Sequence, residues 1–274
     1  MIDHTTELYC IIDDLLKARG HQEDARRNLS DAEVMTTALV AALFFGSNME
    51  HARRFMCSTG LIPRMLSRSR LNRRLHAVAD LLHTLFHQLG QVLKEGGLST
   101  KYLLDSFPVP VCDNIRISRS RIVRGEQFRG WMCSKRRYFY GVKVQVVTTE
   151  EGVPVEFAFL PGSASDTRGL DVLPLALPEG SQLFMDSGYT DYGAEDAAAE
   201  IDGVEFAPSR KKNSKRGDDC WRSYYKQLMR KRVETVFSQI TSMFPKHIHA
   251  VTLDGFLLKL SMFIIAFALS KAFI

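Results

Sequence analysis

The chain has 274 residues, 36 Lys and Arg against 31 Asp and Glu, a net charge of +5 and 45% hydrophobic residues. That composition excludes wholesale disorder, and the length suits one large domain or two moderate ones with a real core. The charge is uneven: residues 115–143 carry +8, 208–232 carry +8 and 64–74 carry +5, leaving −16 for the rest, and clustered cations of this kind are the footprint of a polyanionic partner.

The first hundred residues read as helical. Ser30-Asp31-Ala32-Glu33 is a capping-box pattern ahead of the apolar run 34–45, in which Ser caps the helix and Glu reaches back. Over 71–93, Leu71, Leu75, Val78, Leu82, Leu85, Leu89 and Val92 recur at spacings of three and four and predict one amphipathic helix. Gly96-Gly97 stops it. From residue 101 strands alternate with helices. Residues 101–106 form a short apolar strand ending in acid, and 138–149 and 153–160 form a hairpin around Glu150-Glu151-Gly152. Residues 181–186 and 204–208 are further strands, with a helix over 189–200 between them, and the polar run 209–219 reads as a mobile loop. Residues 220–244 predict a long helix with a stripe at Tyr225, Met229, Val233, Val236, Ile240 and Met243. The closing run 255–274 is apolar, but Lys259 and Lys271 leave eleven uncharged residues between them, short of the ~20 a membrane span needs. A buried core helix is expected there.

Five cysteines, Cys10, Cys57, Cys112, Cys133 and Cys220, are odd in number and form no C-x-x-C pair. They argue against a disulfide framework or structural zinc and for a reducing cytosol. The first ten residues have neither the basic nor the apolar region of a signal peptide.

Three acids stand out. Asp105 and Asp186 each end a short apolar strand, where α/β sheets place their ligands. Glu234 sits at the rim of the apolar stripe of the long helix. Convergent carboxylates suit hard divalent cations, although each Asp taken alone reads equally well as a cap of the turn that follows it. The segments Leu104-Asp105-Ser106-Phe107-Pro108-Val109-Pro110, Phe184-Met185-Asp186-Ser187-Gly188-Tyr189 and Arg230-Lys231-Arg232-Val233-Glu234-Thr235-Val236-Phe237, together with 134–143, 211–216 and 244–252, resemble a compact group of bacterial insertion-sequence transposases of the DDE superfamily.

That resemblance implies an α/β fold: a ribonuclease-H-like catalytic domain over 99–274, a mixed sheet flanked by helices, preceded by an all-α, DNA-end-binding domain over 1–98. It implies the triad Asp105, Asp186 and Glu234, separated by 81 and 48 residues, and two Mg2+ ions with Mn2+ as a substitute. It implies double-stranded DNA as partner, both transposon ends and target, a homo-oligomer on that DNA, no membrane, and a cytoplasmic setting. Of the Tyr-x2-Arg-x3-Glu-x6-Lys signature carried by related enzymes, Arg230 and Glu234 match, while Gln227 and Thr241 stand at the Tyr and Lys positions. A non-catalytic DNA-binding regulator descended from such an enzyme is the alternative; retention of all three acids favours catalysis.

The DNA-contact candidates are the cations around these motifs: Arg68, Arg70, Arg73 and Arg74 at the start of a helix, Arg116, Arg119, Lys135, Arg136 and Lys143 after the first acid, and Lys211, Lys212, Lys215 and Arg230 before the last. Trp131 suits stacking on an unpaired base, but burial in the core is the favoured expectation. Asp166 reads either as a residue supporting the metal ligands from behind or as a helix cap, and the cap is the favoured expectation.

Overall fold

The computed structural model describes residues 1–96, 99–112, 120–132 and 135–273. Arg116 and Arg119 lie outside the described residues. Contacts divide the chain into two compact units, Met1–Gln88 with Ile240–Ile274, and Leu89–Gln239.

The first unit is helical: α1 (Ile2–Ala18), α2 (Asp31–Phe45), α3 (Met49–Ser58), α4 (Arg68–Ala77), the first part of α5 (Ala79–Glu95) and α9 (Leu253–Phe273). The capping box forms as the sequence requires. Glu33 N–H donates to Ser30 Oγ at 3.0 Å, and Ser30 N–H donates to Glu33 Oε2 at 2.7 Å. Both α2 and α9 are buried around most of their circumference and pack on one another. A helix apolar on all sides needs neighbours on all sides, so α9 belongs to this unit and not to the expected 99–274 domain. By length and composition its 21 residues are apolar enough to cross a membrane; burial among the helices of this unit accounts for that apolarity. The single helix expected over 71–93 is two. The backbone breaks at Val78 (φ −100°, ψ 8°) while the apolar spacing runs on through the break, with Leu75, Val78 and Leu82 all buried.

The second unit holds one six-stranded sheet. Its strands are β1 (Lys101–Cys112), β2 (Arg129–Met132), β3 (Arg137–Thr149), β4 (Pro154–Pro161), β5 (Gln182–Met185) and β6 (Glu205–Pro208). β1 pairs antiparallel with β3, which pairs antiparallel with both β2 and β4. On its other edge β1 pairs parallel with β5, and β5 with β6. Beside the short β2, the three antiparallel strands β1, β3 and β4 followed by the two parallel strands β5 and β6 give the ribonuclease-H-like order, and the mixed sheet with flanking helices is as expected. β1 runs six residues beyond the expected end, through Pro108 and Pro110. Both prolines are tolerated because β5 pairs only with residues 101–104, leaving that edge of β1 without a ladder to which a missing N–H would matter.

One face of the sheet packs Tyr102, Leu104, Val147, Val155, Leu183 and Tyr189 into a core. Against the other lies α8 (Cys220–Ser242), where Phe107 meets Phe237 at 4.8 Å and Phe184 meets Tyr225 at 5.5 Å between ring centres. The short helices α6 (Arg168–Val172) and α7 (Tyr192–Ala197) complete the unit. The run 209–219, expected to be a mobile loop, is tied to α7: Arg210 forks onto Glu195 at 2.8 and 2.6 Å, and Arg216 forks onto Asp196 at 2.8 Å.

Candidate active site

The parallel register of β1 and β5 builds the site. Leu104 pairs with Met185, so the next residues, Asp105 and Asp186, emerge at the same level on adjacent strands, which in any sheet lie roughly 4.8 Å apart. Glu234 comes from α8, one residue past the buried Val233. Arg230, one turn earlier, joins the elements: its Nη1–H donates to Asp186 Oδ1 at 2.8 Å and its Nε–H donates to Glu234 Oε1 at 3.2 Å. Asp105, Asp186, Arg230 and Lys226 line one cleft with Leu103, Phe184 and Val233.

Charge in this cleft is unbalanced. Lys226 is spoken for: its Nζ donates to both oxygens of Asp218 at 2.7 and 2.8 Å and to the Pro208 carbonyl. That leaves Asp105 and Asp186 in the cleft beside a single guanidinium, Arg230, which is also shared with Glu234. Asp105 is half-buried and accepts a hydrogen bond from the Ser106 backbone N–H at 2.7 Å; among the described residues no side chain donates to it. Burial, reinforced by the charge of Asp186, pushes its carboxyl up to about 7, against the opposing pulls of the Ser106 N–H and Arg230. A set of oxygen donors with surplus negative charge fits hard divalent cations such as Mg2+ or Mn2+.

The other expected residues separate into free and engaged. On α4, Leu71 and Leu75 face the core, while Arg68, Arg70 and Arg73 are exposed and hold no carboxylate among the described residues. Arg74 is not free, since it donates to the buried Asp31. Lys143 is not free either: it donates to Asp166 Oδ1 at 3.1 Å and to the Ala164 carbonyl at 2.8 Å. Arg74 is held by the buried Asp31 and Lys143 by the half-buried Asp166, so both are engaged within the fold. Lys135, Arg136, Lys211, Lys212 and Lys215 are exposed. Trp131 is 48% exposed and not a core residue. Gly130 and Met132 take the inner positions of the short strand β2, so alternation turns Trp131 outward, edge-on to Tyr138 at 4.8 Å.

Asp166 does not cap α6. The residue preceding that helix is Thr167, which makes no side-chain cap, and the Asp166 carboxylate accepts from Ser106 Oγ at 3.0 Å as well as from Lys143. The signal for this role lay in the alternation of β1, which sends Ser106 to the face opposite Asp105.

No curated protein matches the chain. Among solved structures it is distantly similar to the piggyBac transposase in a synaptic complex with hairpin DNA, at 10% identity and a TM-score of 0.47 over 96% of this chain and 71% of that one. The family match is more direct. Residues 95–249, which include all three acids and more than half the chain, match the transposase DDE domain, and the chain belongs to that family.

Proposed function

We propose that this protein cuts DNA at the terminal inverted repeats of an insertion sequence and joins the freed 3′-hydroxyl ends to target DNA, with Asp105, Asp186 and Glu234 as its catalytic carboxylates. The observation that carries the reading is the pairing of Leu104 with Met185, which sets two aspartates side by side in a cleft whose guanidinium, Arg230, also holds Glu234. Two bound Mg2+ ions, or Mn2+ in their place, supply activation of the attacking oxygen and stabilisation of the leaving oxygen at phosphorus. Asp105, beside Asp186 and without a side-chain donor among the described residues, would offer its carboxylate to such a cation. Asp186 and Glu234 complete the donor set from the neighbouring strand and from α8. The apolar lining of Leu103, Phe184 and Val233 limits water and so strengthens every charge interaction in the cleft. Arg230, half-exposed beside both acids, steers Glu234 and offers its remaining N–H groups to a phosphate.

Double-stranded DNA is held through its phosphates. Arg68, Arg70 and Arg73 on α4, Lys135 and Arg136, and Lys211, Lys212 and Lys215 are the cations exposed for that purpose, and affinity falls steeply with added salt. Two ends must be cut and joined in concert, so a homo-oligomer on DNA is part of the proposal. The test is a cleavage and strand-transfer assay on terminal-repeat DNA with and without Mg2+. Wild type yields joined product only with the cation and Asp186→Ala yields none; equal product from Asp186→Ala would sink the triad.

A further inference from the structure

Behind the carboxylates, on the opposite face of the sheet, lies a partly buried polar network that the proposed chemistry does not use. Ser106, next in sequence to Asp105, pairs in register with Gln145. Ser106 Oγ donates to Asp166 Oδ1 at 3.0 Å, and Lys143 Nζ donates to the same oxygen at 3.1 Å. The other oxygen of Asp166 packs on the turn that follows Asp186: a Cβ added to Gly188 would lie 2.9 Å from Asp166 Oδ2. The next residue, Tyr189, is 1% exposed and donates its hydroxyl to Gln145 Oε1, and Gln145 is fully buried. One carboxylate thus touches both the residue after Asp105 and the turn after Asp186.

We infer that Asp166 is a positioning residue, which with Lys143 as its counter-charge fixes the end of β1 against the 186–189 turn and so sets the relation of Asp105 to Asp186 before a cation arrives. The inference rests on the reading of those two aspartates as cation ligands. Stability alone does not account for the network. Gln145 Nε2 is buried without a hydrogen-bond partner, which costs free energy. Gln145 and Tyr189 are buried, and polar groups kept in the core at such a cost point to a demand for geometry. Two aspartates on adjacent strands repel, and nothing in the pairing of β1 with β5 beyond Leu104 and Met185 holds their backbones at one separation. The contacts of Asp166 supply that restraint.

The experiment measures Mn2+ binding to the full chain by the spin-resonance signal of free Mn2+, alongside the thermal midpoint of each variant. Outer ligand partners are typically worth 10–100-fold in metal affinity. The neutral double variant Asp166→Asn/Lys143→Met is expected to bind Mn2+ about tenfold more weakly at an unchanged midpoint. Ser106→Ala, which removes one hydrogen bond and leaves the ion pair, is expected to weaken binding several-fold and serves if the double variant does not fold. Lys143→Arg is expected to retain wild-type affinity. Wild-type affinity in Ser106→Ala, or a loss that only tracks a lost folded fraction, would overturn the inference. Asp105→Asn separates the two layers: if it binds Mn2+ as wild type does, the ligand reading itself fails, whatever Asp166 does.

Discussion

Two acidic clusters among the described residues have different charge balances. His21, Glu23 and Asp31, at the start of α2, bring three ligand atoms within 4.8 Å of one another, the outward mark of a metal site. Their charge is already matched. Asp31 accepts from Arg27 at 3.0 and 3.2 Å and from Arg74, with His21 Nε2 at 3.0 Å, while Glu23 takes the Asp31 backbone N–H at 2.8 Å. Asp186 and Glu234 share the single guanidinium of Arg230, and Asp105 receives a backbone N–H and no side chain among the described residues. Proximity of ligand atoms does not define a cation site. Unmatched charge does, because a buried carboxylate is stable only when something pays its desolvation.

The contrast predicts opposite responses to neutralising one acid in each cluster. Asp31→Asn strands Arg74 and Arg27 against a neutral partner and should lose about 3 kcal/mol in urea denaturation; a near-neutral result would erase the difference between the clusters. Mn2+ at a hundredfold excess over its dissociation constant should stabilise wild type by ~2.7 kcal/mol, read as a rise in thermal midpoint. His21→Ala should keep that rise and Asp105→Asn should lose it.

A third response depends on pH. With its carboxyl raised from 3.8 to about 7, Asp105 binds more protons in the folded than in the unfolded chain between those values. Stability contributed by this group is therefore present at low pH and falls as pH rises through that window. Asp105→Asn removes the titration, so the variant should exceed wild type by roughly 1–3 kcal/mol at pH 8 and match it near pH 4. An equal gain at both would contradict burial as the cause. The smallest effect belongs to Arg230→Gln. Its ion pairs are about half exposed, and unfolding experiments should show a change below ~1 kcal/mol.

Much of this was legible in the sequence, for reasons that differ from element to element. Asp105 and Asp186 stood out because both end short apolar strands, and the register of β1 with β5 turned that likeness into adjacency. The capping box at Ser30 and the strand pattern from residue 138 are local signals, and they gave local structure. The break at Val78 was hidden because a helix can bend without losing its apolar period. The placement of α9 was hidden because an all-round apolar helix does not name its partners. The length of β1 was masked by Pro108 and Pro110, whose tolerance depends on an edge that only the sheet reveals. The internal partners of Lys143, Arg74 and Asp166 were hidden for one shared reason: a charged side chain looks the same in sequence whether it meets solvent or a partner within the fold.

The most direct test of the account counts Mn2+ bound to the full chain when each cluster is disabled in turn. Asp105→Asn/Asp186→Asn should abolish binding, while His21→Ala/Glu23→Gln should bind as wild type does. Binding that survives the first pair of substitutions, or disappears with the second, would contradict the claim that Asp105 and Asp186 form the cation site of this transposase-family protein.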